Sequence, residues 1–143
     1  MVKLSSQQFA IIFESLQVAS AAKGSEKRVS TRMEVQTTVN LAQLNAQGKI
    51  VRCLSGLTRD LSTCGVGFLQ CVPAEQGSLF LIGFPYRKSE LILTSSVRFC
   101  RLLADGIFGV GGQFEALADK GMIEQLQLAR QGTIDRIKAS VLS

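Results

Sequence analysis

A cluster of basic residues in the first quarter of this 143-residue chain has the spacing of an anion clamp. Lys27 stands directly before Arg28, and Arg32 completes an R-x-x-x-R pattern with Arg28. A guanidinium presents a rigid fork of donors that suits phosphate oxygens and the O6 and N7 acceptors of guanine, whereas a lysine adds a point charge. The pattern therefore fits an anionic ligand, although two arginines at this spacing also occur on ordinary solvated surfaces.

A second stretch, D-x-S-x-x-G from Asp60 to Gly65, offers the complementary chemistry. The Asp60 carboxylate accepts hydrogen bonds and suits the N1 and N2 donors of guanine, whereas adenine has no N2 amino group. Ser62 can donate to or accept from the same base or a phosphate, and Gly65 lets a ligand approach the backbone. Taken alone, the same pattern also describes a turn held by Asp or Ser hydrogen bonds, with glycine at positive φ.

Together, in this order and at this spacing, the two patterns resemble the PilZ domain family. That family joins an R-x-x-x-R at the mouth of a six-stranded antiparallel barrel to a D/N-x-S-x-x-G on a barrel strand. The segment from Gly109 to Phe114 is similar to the late PilZ strand, in which G-x-x-F is common. The resemblance covers about residues 27–128 and leaves the segment before Lys27 outside it.

The resemblance implies a receptor that binds the second messenger cyclic di-GMP and is not an enzyme. It implies no cofactor, and it assigns the ligand to Lys27, Arg28, Arg32, Asp60, Ser62 and Gly65. In the family the two motif arginines grip phosphate and guanine, and many members carry a further arginine where this chain has Lys27. Lysine cannot stack on a base as arginine does, so the number of ligands bound, one or two, stays open.

Gly24 and Ser25 precede the basic cluster and predict a flexible entry to it. We expect ligand binding to order residues 23–33 over the nucleotide and to move the N-terminal helix relative to the barrel. A protein partner would recognise the new position of the N-terminal helix. The sequence does not identify the partner, and it leaves open a homodimer formed through the terminal helices.

Three alternatives compete with this interpretation. The chain could be a PilZ-like protein-interaction scaffold without a nucleotide site, a small nucleic-acid-binding barrel, or an enzyme. A net charge of +5 fits nucleic acid, but one Tyr and no Trp leave few aromatics for base stacking. The absence of His and of a G-x-x-x-x-G-K-S/T loop counts against an enzyme.

The composition predicts a globular protein, because 46% of the residues are hydrophobic and 19% are charged. The N-terminal segment is interpreted as neither a signal peptide nor a membrane span, since three glutamines and Glu14 interrupt its apolar residues. The cysteines form no C-x-x-C pair and lie in apolar runs, which predicts reduced core thiols in a cytoplasmic protein. The resemblance to the PilZ family implies a bacterial one. The four cysteines are Cys53, Cys64, Cys71 and Cys100.

Apolar periodicity predicts a mainly β domain between two helices. Residues 1–24 are expected to form an N-terminal helix and linker and 119–143 a C-terminal helix. The strands between them suggest a small barrel or sandwich, and the resemblance implies that 25–118 form the six-stranded antiparallel PilZ-type barrel. Ser5 and Gln8 fit an S-x-x-Q capping box ahead of apolar residues at helical spacing. Strands are predicted at 35–41, 49–57, 65–72, 78–84, 91–99 and 107–114.

Two local patterns predict the structure of the C-terminal part of the chain. Asp105-Gly106 predicts a tight turn between the last two strands, because glycine tolerates positive φ. A stripe from Met122 to Val141 predicts helix, either two short ones or a single one kinked at Gly132. Packing of that stripe on the barrel is favoured over its use as a dimer interface.

Overall fold

The computed structural model of the chain describes residues 3–19, 33–34, 38–86 and 89–142. Within these residues the order is helix, seven strands, helix. The elements are α1 (Ser6–Ala19), β1 (Met33–Glu34), β2 (Thr38–Leu44), β3 (Ile50–Leu61), β4 (Gly65–Gln70), β5 (Leu79–Tyr86), β6 (Ser89–Ala104), β7 (Ile107–Leu117) and α2 (Lys120–Leu142).

The strands close into a six-stranded antiparallel barrel, which confirms the predicted fold class. The sheet order is β1-β3-β2-β5-β6-β7-β4, and pairing of β3 with β4 closes the ring. β1 and β2 pair with the same edge of β3, and their registers differ by one residue. They therefore share one position around the barrel. Closure leaves no long strand edge exposed, which a chain of this size has little material to cover.

The barrel interior is filled by alternate residues of every long strand. Phe68 packs edge-on against Phe80 at 5.5 Å between ring centroids, and Phe84 packs edge-on against Phe114 at 5.9 Å. All four rings are almost fully buried, with branched aliphatic side chains around them. Because side chains alternate along a strand, the residues between these positions face outward.

α1 covers one end of the barrel and begins with the predicted capping box. The Ser5 N–H donates to Gln8 Oε1 at 2.9 Å, and the Gln8 N–H donates to Ser5 Oγ at 3.0 Å. Ile12 is fully buried in the barrel core, together with Leu4 just before the helix. The predicted helix is confirmed over Ser6–Ala19, whereas the cap expected at Gly24 lies outside the described residues.

α2 packs on the outer face of the barrel along its first half. Leu126 is 2% exposed and joins Ala42, Leu44, Leu81 and Ile92 in a second cluster outside the barrel core. The helix runs through Gly132 without interruption, so the prediction of one long helix holds and that of two short helices does not. Its second half presents exposed side chains at the described positions beyond residue 130, among them Val141 at 74%.

Several strands are longer than the sequence predicted. β6 extends to Ala104 instead of ending at residue 99, and β3 extends to Leu61, so Asp60 lies on a strand. The Asp105-Gly106 turn is confirmed, with Gly106 at φ 74°. None of the helices in the described part of the chain combines the length and the apolarity needed to cross a membrane.

The prediction of four core cysteines is only partly right. Cys53 and Cys100 pack beside the two hydrophobic clusters, and Cys64 is half-buried. Cys71 is exposed because it lies in the loop after β4, whereas the prediction placed it within a strand. All four thiols are free.

Candidate ligand site

Asp60 reaches the outer surface of the barrel because β3 contains a bulge. Thr58 pairs with Phe68 and Asp60 pairs with Gly67, so Arg59 has no partner of its own on β4. Thr58 and Leu61 are both fully buried, which leaves Arg59 and Asp60 together on the outer face. A β-bulge redirects side chains in this way, and bulges are common beside functional sites.

The carboxylate of Asp60 lies across Gly67 on the neighbouring strand. A Cβ built on Gly67 would stand 2.7 Å from Asp60 Oδ1 and 3.4 Å from Oδ2. Real Cβ atoms essentially never come that close to another atom, so glycine at position 67 is what gives the carboxylate its place. Sequence reasoning assigned Gly67 no role, although the G-x-G at 65–67 directly after the turn carried that signal.

Ser62 holds the turn between β3 and β4. Its hydroxyl accepts from the backbone N–H groups of Cys64 and Gly65, both at 3.2 Å, and the residue is 8% exposed. The backbone N–H of Ser62 donates to the carbonyl of Gly65 at 2.9 Å. This is a serine-stabilised turn, in which a side-chain oxygen replaces backbone partners. Ser62 therefore shapes the loop that Asp60 leads into.

Gly65 is required by strand packing and not by a left-handed backbone. Among the described glycines, positive φ occurs at Gly48, Gly77 and Gly106. Gly65 instead pairs with Gln113 on β7, and a Cβ on it would collide with the carbonyl oxygen of Gly112. The glycine thus lets β4 begin directly against β7, immediately after the turn.

The basic cluster itself, Lys27, Arg28 and Arg32, lies outside the described residues. The two residues that follow it are placed on the sheet. Met33 pairs with Leu61 and Glu34 pairs with Asp60, both in antiparallel register. The chain that leaves the R-x-x-x-R pattern therefore runs beside the strand end that carries Asp60.

Three further arginines lie on the outer face of the barrel: Arg59 is on β3, and Arg98 and Arg101 are on β6. Arg98 donates to Gln113 Oε1, and Arg101 Cζ lies 5.1 Å from the centroid of the Phe99 ring. Arg59 Nη1 would stand 3.4 Å from a Cβ on Gly109. All three are exposed. They place positive charge on the outer faces of β3 and β6.

A short acidic network lies farther along β7. Glu115 Oε2 accepts from Ser96 Oγ at 2.5 Å and from Gln113 Nε2 at 3.3 Å. The hydrogen bond from Ser96 stabilises the charged form and holds the pKa of Glu115 below its usual value. Glu115 is therefore ionised at neutral pH and, through Gln113, belongs to the same hydrogen-bonded chain as Arg98.

The described part of the site has groups that can hydrogen-bond to an anion or to a base. It consists of the half-buried Asp60 carboxylate, the serine-held turn after it, closely packed glycines, and exposed guanidinium groups. Over the described residues, no group of three or more Cys, Asp or Glu side chains is placed to hold a metal ion. Such a surface suits a ligand that combines negative charge with a hydrogen-bonding base.

Comparison with protein-family models and with curated proteins gives no match for this chain. Comparison with solved structures gives several. One is the inhibitor of motility MotI/DgrA of Bacillus subtilis, with 11% sequence identity and a TM-score of 0.49 over 79% of this chain and 54% of that one. Another is the PilZ domain of CeSA from a cellulose-synthesizing bacterium, with 21% identity and a TM-score of 0.46 over 69% of this chain and 94% of that one.

A third is MrkH of K. pneumonia in its complex with c-di-GMP, with 11% identity and a TM-score of 0.47 over 81% of this chain and 54% of that one. The chain thus spans about half the length of MotI/DgrA and of MrkH. A PilZ domain is among these structures, and PilZ is the family that the two sequence patterns resemble. Because all three TM-scores lie below 0.5, the functional assignment that follows relies on the residues of this chain.

Proposed function

We propose that this chain is a binding module for cyclic di-GMP, with Arg28 and Arg32 as the phosphate and guanine clamp and Asp60 as the guanine acceptor. One observation carries the proposal. β1, the continuation of the R-x-x-x-R segment, pairs with the end of β3 that holds Asp60. This pairing supports a site in which the two patterns, separated by 27 residues in the sequence, meet at one end of the barrel.

The covalent tether brings both arginines within reach of this end. Arg32 precedes Met33, and consecutive Cα atoms lie about 3.8 Å apart across a trans peptide bond. Met33 faces Leu61 across the sheet, and neighbouring strands are about 4.8 Å apart. Arg28 is four residues earlier, a span of at most about 14 Å when fully extended. Lys27 adds a third positive charge to the clamp.

The chemistry of the two halves is complementary to the ligand. Cyclic di-GMP carries two phosphates, which guanidinium forks neutralise, and two guanines, whose N1 and N2 donors fit a carboxylate. The turn of Ser62 and Gly65 holds the approach to Asp60 in one conformation through the hydrogen bonds at 3.2 Å. Preorganised groups lose less conformational entropy on binding, which favours affinity.

Isothermal titration calorimetry with cyclic di-GMP tests the proposal. The wild-type chain should bind it, with GTP and cyclic di-AMP as controls that bind more weakly. Arg28→Ala and Arg32→Ala should each weaken binding by about 1–3 kcal/mol, or roughly 5- to 150-fold. Affinity should also fall as salt rises, because exposed cations neutralise a dianion.

Two results would contradict this assignment. Absence of heat with cyclic di-GMP under low salt would leave a protein-interaction scaffold without a nucleotide site. Absence of heat together with tight binding of single-stranded nucleic acid would favour a small nucleic-acid-binding barrel. An Arg52→Ala variant serves as a charge-matched control, since Arg52 is exposed and lies near the opposite end of β3 from Asp60.

We further propose that ligand binding is signalled to a protein partner through α1. The backbone N–H of Leu4 donates to the carbonyl of Thr63 at 2.8 Å, inside the D-x-S-x-x-G turn. Leu4 and Ile12 are both buried in the barrel core, so α1 follows changes in that end of the barrel. Closure of residues 23–33 over the ligand would act on α1 from its other end, because that segment follows it in the chain.

Amide hydrogen exchange of the full chain, with and without saturating cyclic di-GMP, tests this signalling step. Residues 23–33 should exchange fast without ligand and become protected with it, because ordering adds backbone hydrogen bonds. Exposed amides of the β6–β7 tip at Asp105 and Gly106 should be unchanged and serve as the internal control. Equal protection of residues 23–33 in both states, with ligand bound by calorimetry, would rule out the ordering mechanism.

A further inference from the structure

The end of the barrel opposite α1 contains a pocket of about 180 Å³. α1 covers the end at the β3–β4 turn, where the Leu4 N–H donates to the Thr63 carbonyl. β4 begins at that turn and ends at Gln70, so the β4–β5 loop, residues 71–78, lies at the other end. This loop and the β2–β3 hairpin both line the pocket. The pocket is therefore separate from Asp60 and from the proposed nucleotide site.

The floor of the pocket is the apolar core of the barrel. Phe68 and Phe80, which pack edge-on, line it together with three buried aliphatic residues, Leu41, Val97 and Val110. At the opening, Val51 is 59% exposed and Leu79 is 39% exposed, so a bound apolar group would remove both side chains from water. An apolar cavity of about 150 Å³ is enough to bind benzene. This pocket thus has room for a molecule built on one ring.

Two glutamines bring hydrogen-bonding groups into this apolar pocket. On β2 and on β4 the inward-facing residues Leu41 and Phe68 are each followed, two positions later, by a glutamine, Gln43 and Gln70, which also lines the pocket. Gln70 is 6% exposed, and its Nε2 donates to the carbonyl of Val72 at 2.6 Å. A side-chain amide has two N–H donors and a carbonyl acceptor, so Gln70 keeps capacity for a further hydrogen bond.

The β4–β5 loop, which forms one wall of the pocket, is held in place by hydrogen bonds. The Gly77 N–H donates to the Val97 carbonyl at 2.8 Å, and the Val97 N–H donates to the Ser78 carbonyl at 2.9 Å. Ser78 Oγ donates to the carbonyl of Glu75 at 2.6 Å. The wall is therefore formed before any ligand binds, which lowers the entropic cost of binding. Among the described residues that line the pocket, Glu75 alone carries a charge.

We infer that this pocket binds a second ligand, a small uncharged molecule with one apolar ring and one amide or hydroxyl group. The ring lies on the apolar floor and covers Val51 and Leu79, and the polar group hydrogen-bonds to Gln43 and Gln70. The volume limits the ligand to about one substituted ring. A charged group would lose its hydration against the apolar core, and Glu75 adds repulsion of an anion. The inference goes beyond the proposed function and does not depend on it.

A nuclear magnetic resonance titration of the ¹⁵N-labelled chain with benzamide tests the inference. Benzamide should shift the signals of the pocket residues Gln43, Gln70, Ser78 and Leu79 in a saturable way, with a dissociation constant of about 1 mM or below. Benzoate and benzylammonium, which have nearly the same shape, should bind about 10-fold more weakly or less, because their charge must be desolvated. Absence of shifts at these residues, or equal affinity for benzamide and benzoate, would overturn the inference.

A Gln70→Leu variant tests the role of the amide. It should weaken benzamide binding by about 2- to 12-fold, because one hydrogen bond is lost, and should leave the affinity for toluene unchanged. Gln76→Leu is the matched control, since Gln76 is exposed in the same loop and does not line the pocket. Equal losses for benzamide and toluene in Gln70→Leu would mean that Gln70 only supports the loop, which would contradict its role in recognition. If Gln70→Leu does not fold, Gln43→Leu gives the same comparison at a half-exposed position.

The same titration in the presence of cyclic di-GMP and in Asp60→Ala separates this inference from the proposed function. Benzamide should bind equally well in both cases, because the pocket and Asp60 lie at opposite ends of the barrel. Benzamide binding by a chain that does not bind cyclic di-GMP would support the pocket and overturn the proposed function. Binding of cyclic di-GMP without saturable shifts by benzamide would have the reverse meaning.

Discussion

Replacing Asp60 by alanine is expected to weaken binding of cyclic di-GMP by about 5- to 150-fold, or about 1–3 kcal/mol. In the proposed site the carboxylate supplies the acceptors for the N1 and N2 donors of guanine. Without it those donors would be desolvated and left unpaired in the complex, which costs more than a missing contact alone. The same change should narrow the difference in affinity between cyclic di-GMP and cyclic di-AMP, because only guanine has the N2 amino group.

Calorimetry with both cyclic dinucleotides measures this effect, and two variants control it. Asp60→Asn keeps an acceptor oxygen, and the family pattern allows Asn at this position, so it should lose less affinity than Asp60→Ala. Asp105→Ala removes a carboxylate of equal charge at the exposed hairpin tip, far from the proposed site, and should bind as the wild type does. Equal affinity of Asp60→Ala and Asp105→Ala for cyclic di-GMP would remove Asp60 from the site.

The sequence was sufficient for the features that depend on local patterns. The S-x-x-Q pair predicted both hydrogen bonds at the start of α1, since a capping box involves residues only three apart. Alternation of apolar residues predicted the strands, and Asp105-Gly106 predicted the turn between β6 and β7. In each case neighbours in the chain decide the structure, so the pattern contains the information.

Features that depend on pairing between distant strands could not be predicted in this way. The bulge at Arg59 places two successive side chains on one face, which breaks the alternation that a strand prediction assumes. Asp60 was therefore predicted at a junction between strands. The long β6 has similar register shifts near Arg98 and Leu103, and exposed leucines there end the alternation before the strand itself ends.

The glycines show the same limit. A tight turn requires Gly106, and the sequence gives that reason directly. Gly67 and Gly111 matter because β4 and β7 pair in a register that sets them side by side, beneath Asp60 and Phe99. That register is fixed by the closed barrel as a whole. Accordingly, the D-x-S-x-x-G pattern was found from the sequence, whereas the pairing of Gly67 with Gly111 beneath Asp60 and Phe99 was found from the structure.

Gly65→Ala is expected to destabilise the fold by at least about 1–3 kcal/mol, although it adds only one methyl group. The new Cβ would collide with the carbonyl oxygen of Gly112, a backbone atom held in the β4–β7 ladder. Relief requires moving one strand, which disturbs the pairing of Gly65 with Gln113. In thermal unfolding, each kcal/mol should lower the Tm by about 2–4 °C for a domain of this size.

Gly67→Ala is the matched comparison, because its Cβ would meet a side chain and not the backbone. The nearest atom is Asp60 Oδ1 at 2.7 Å, which can rotate away. This variant should keep a Tm close to that of the wild type and lose affinity for cyclic di-GMP, because the carboxylate is displaced from its place over β4. Gly65→Ala should instead lower the Tm. A Gly67→Ala variant that unfolds as easily as Gly65→Ala would mean that both glycines serve packing alone, whereas lost affinity at unchanged Tm would tie the position of the Asp60 carboxylate to ligand binding.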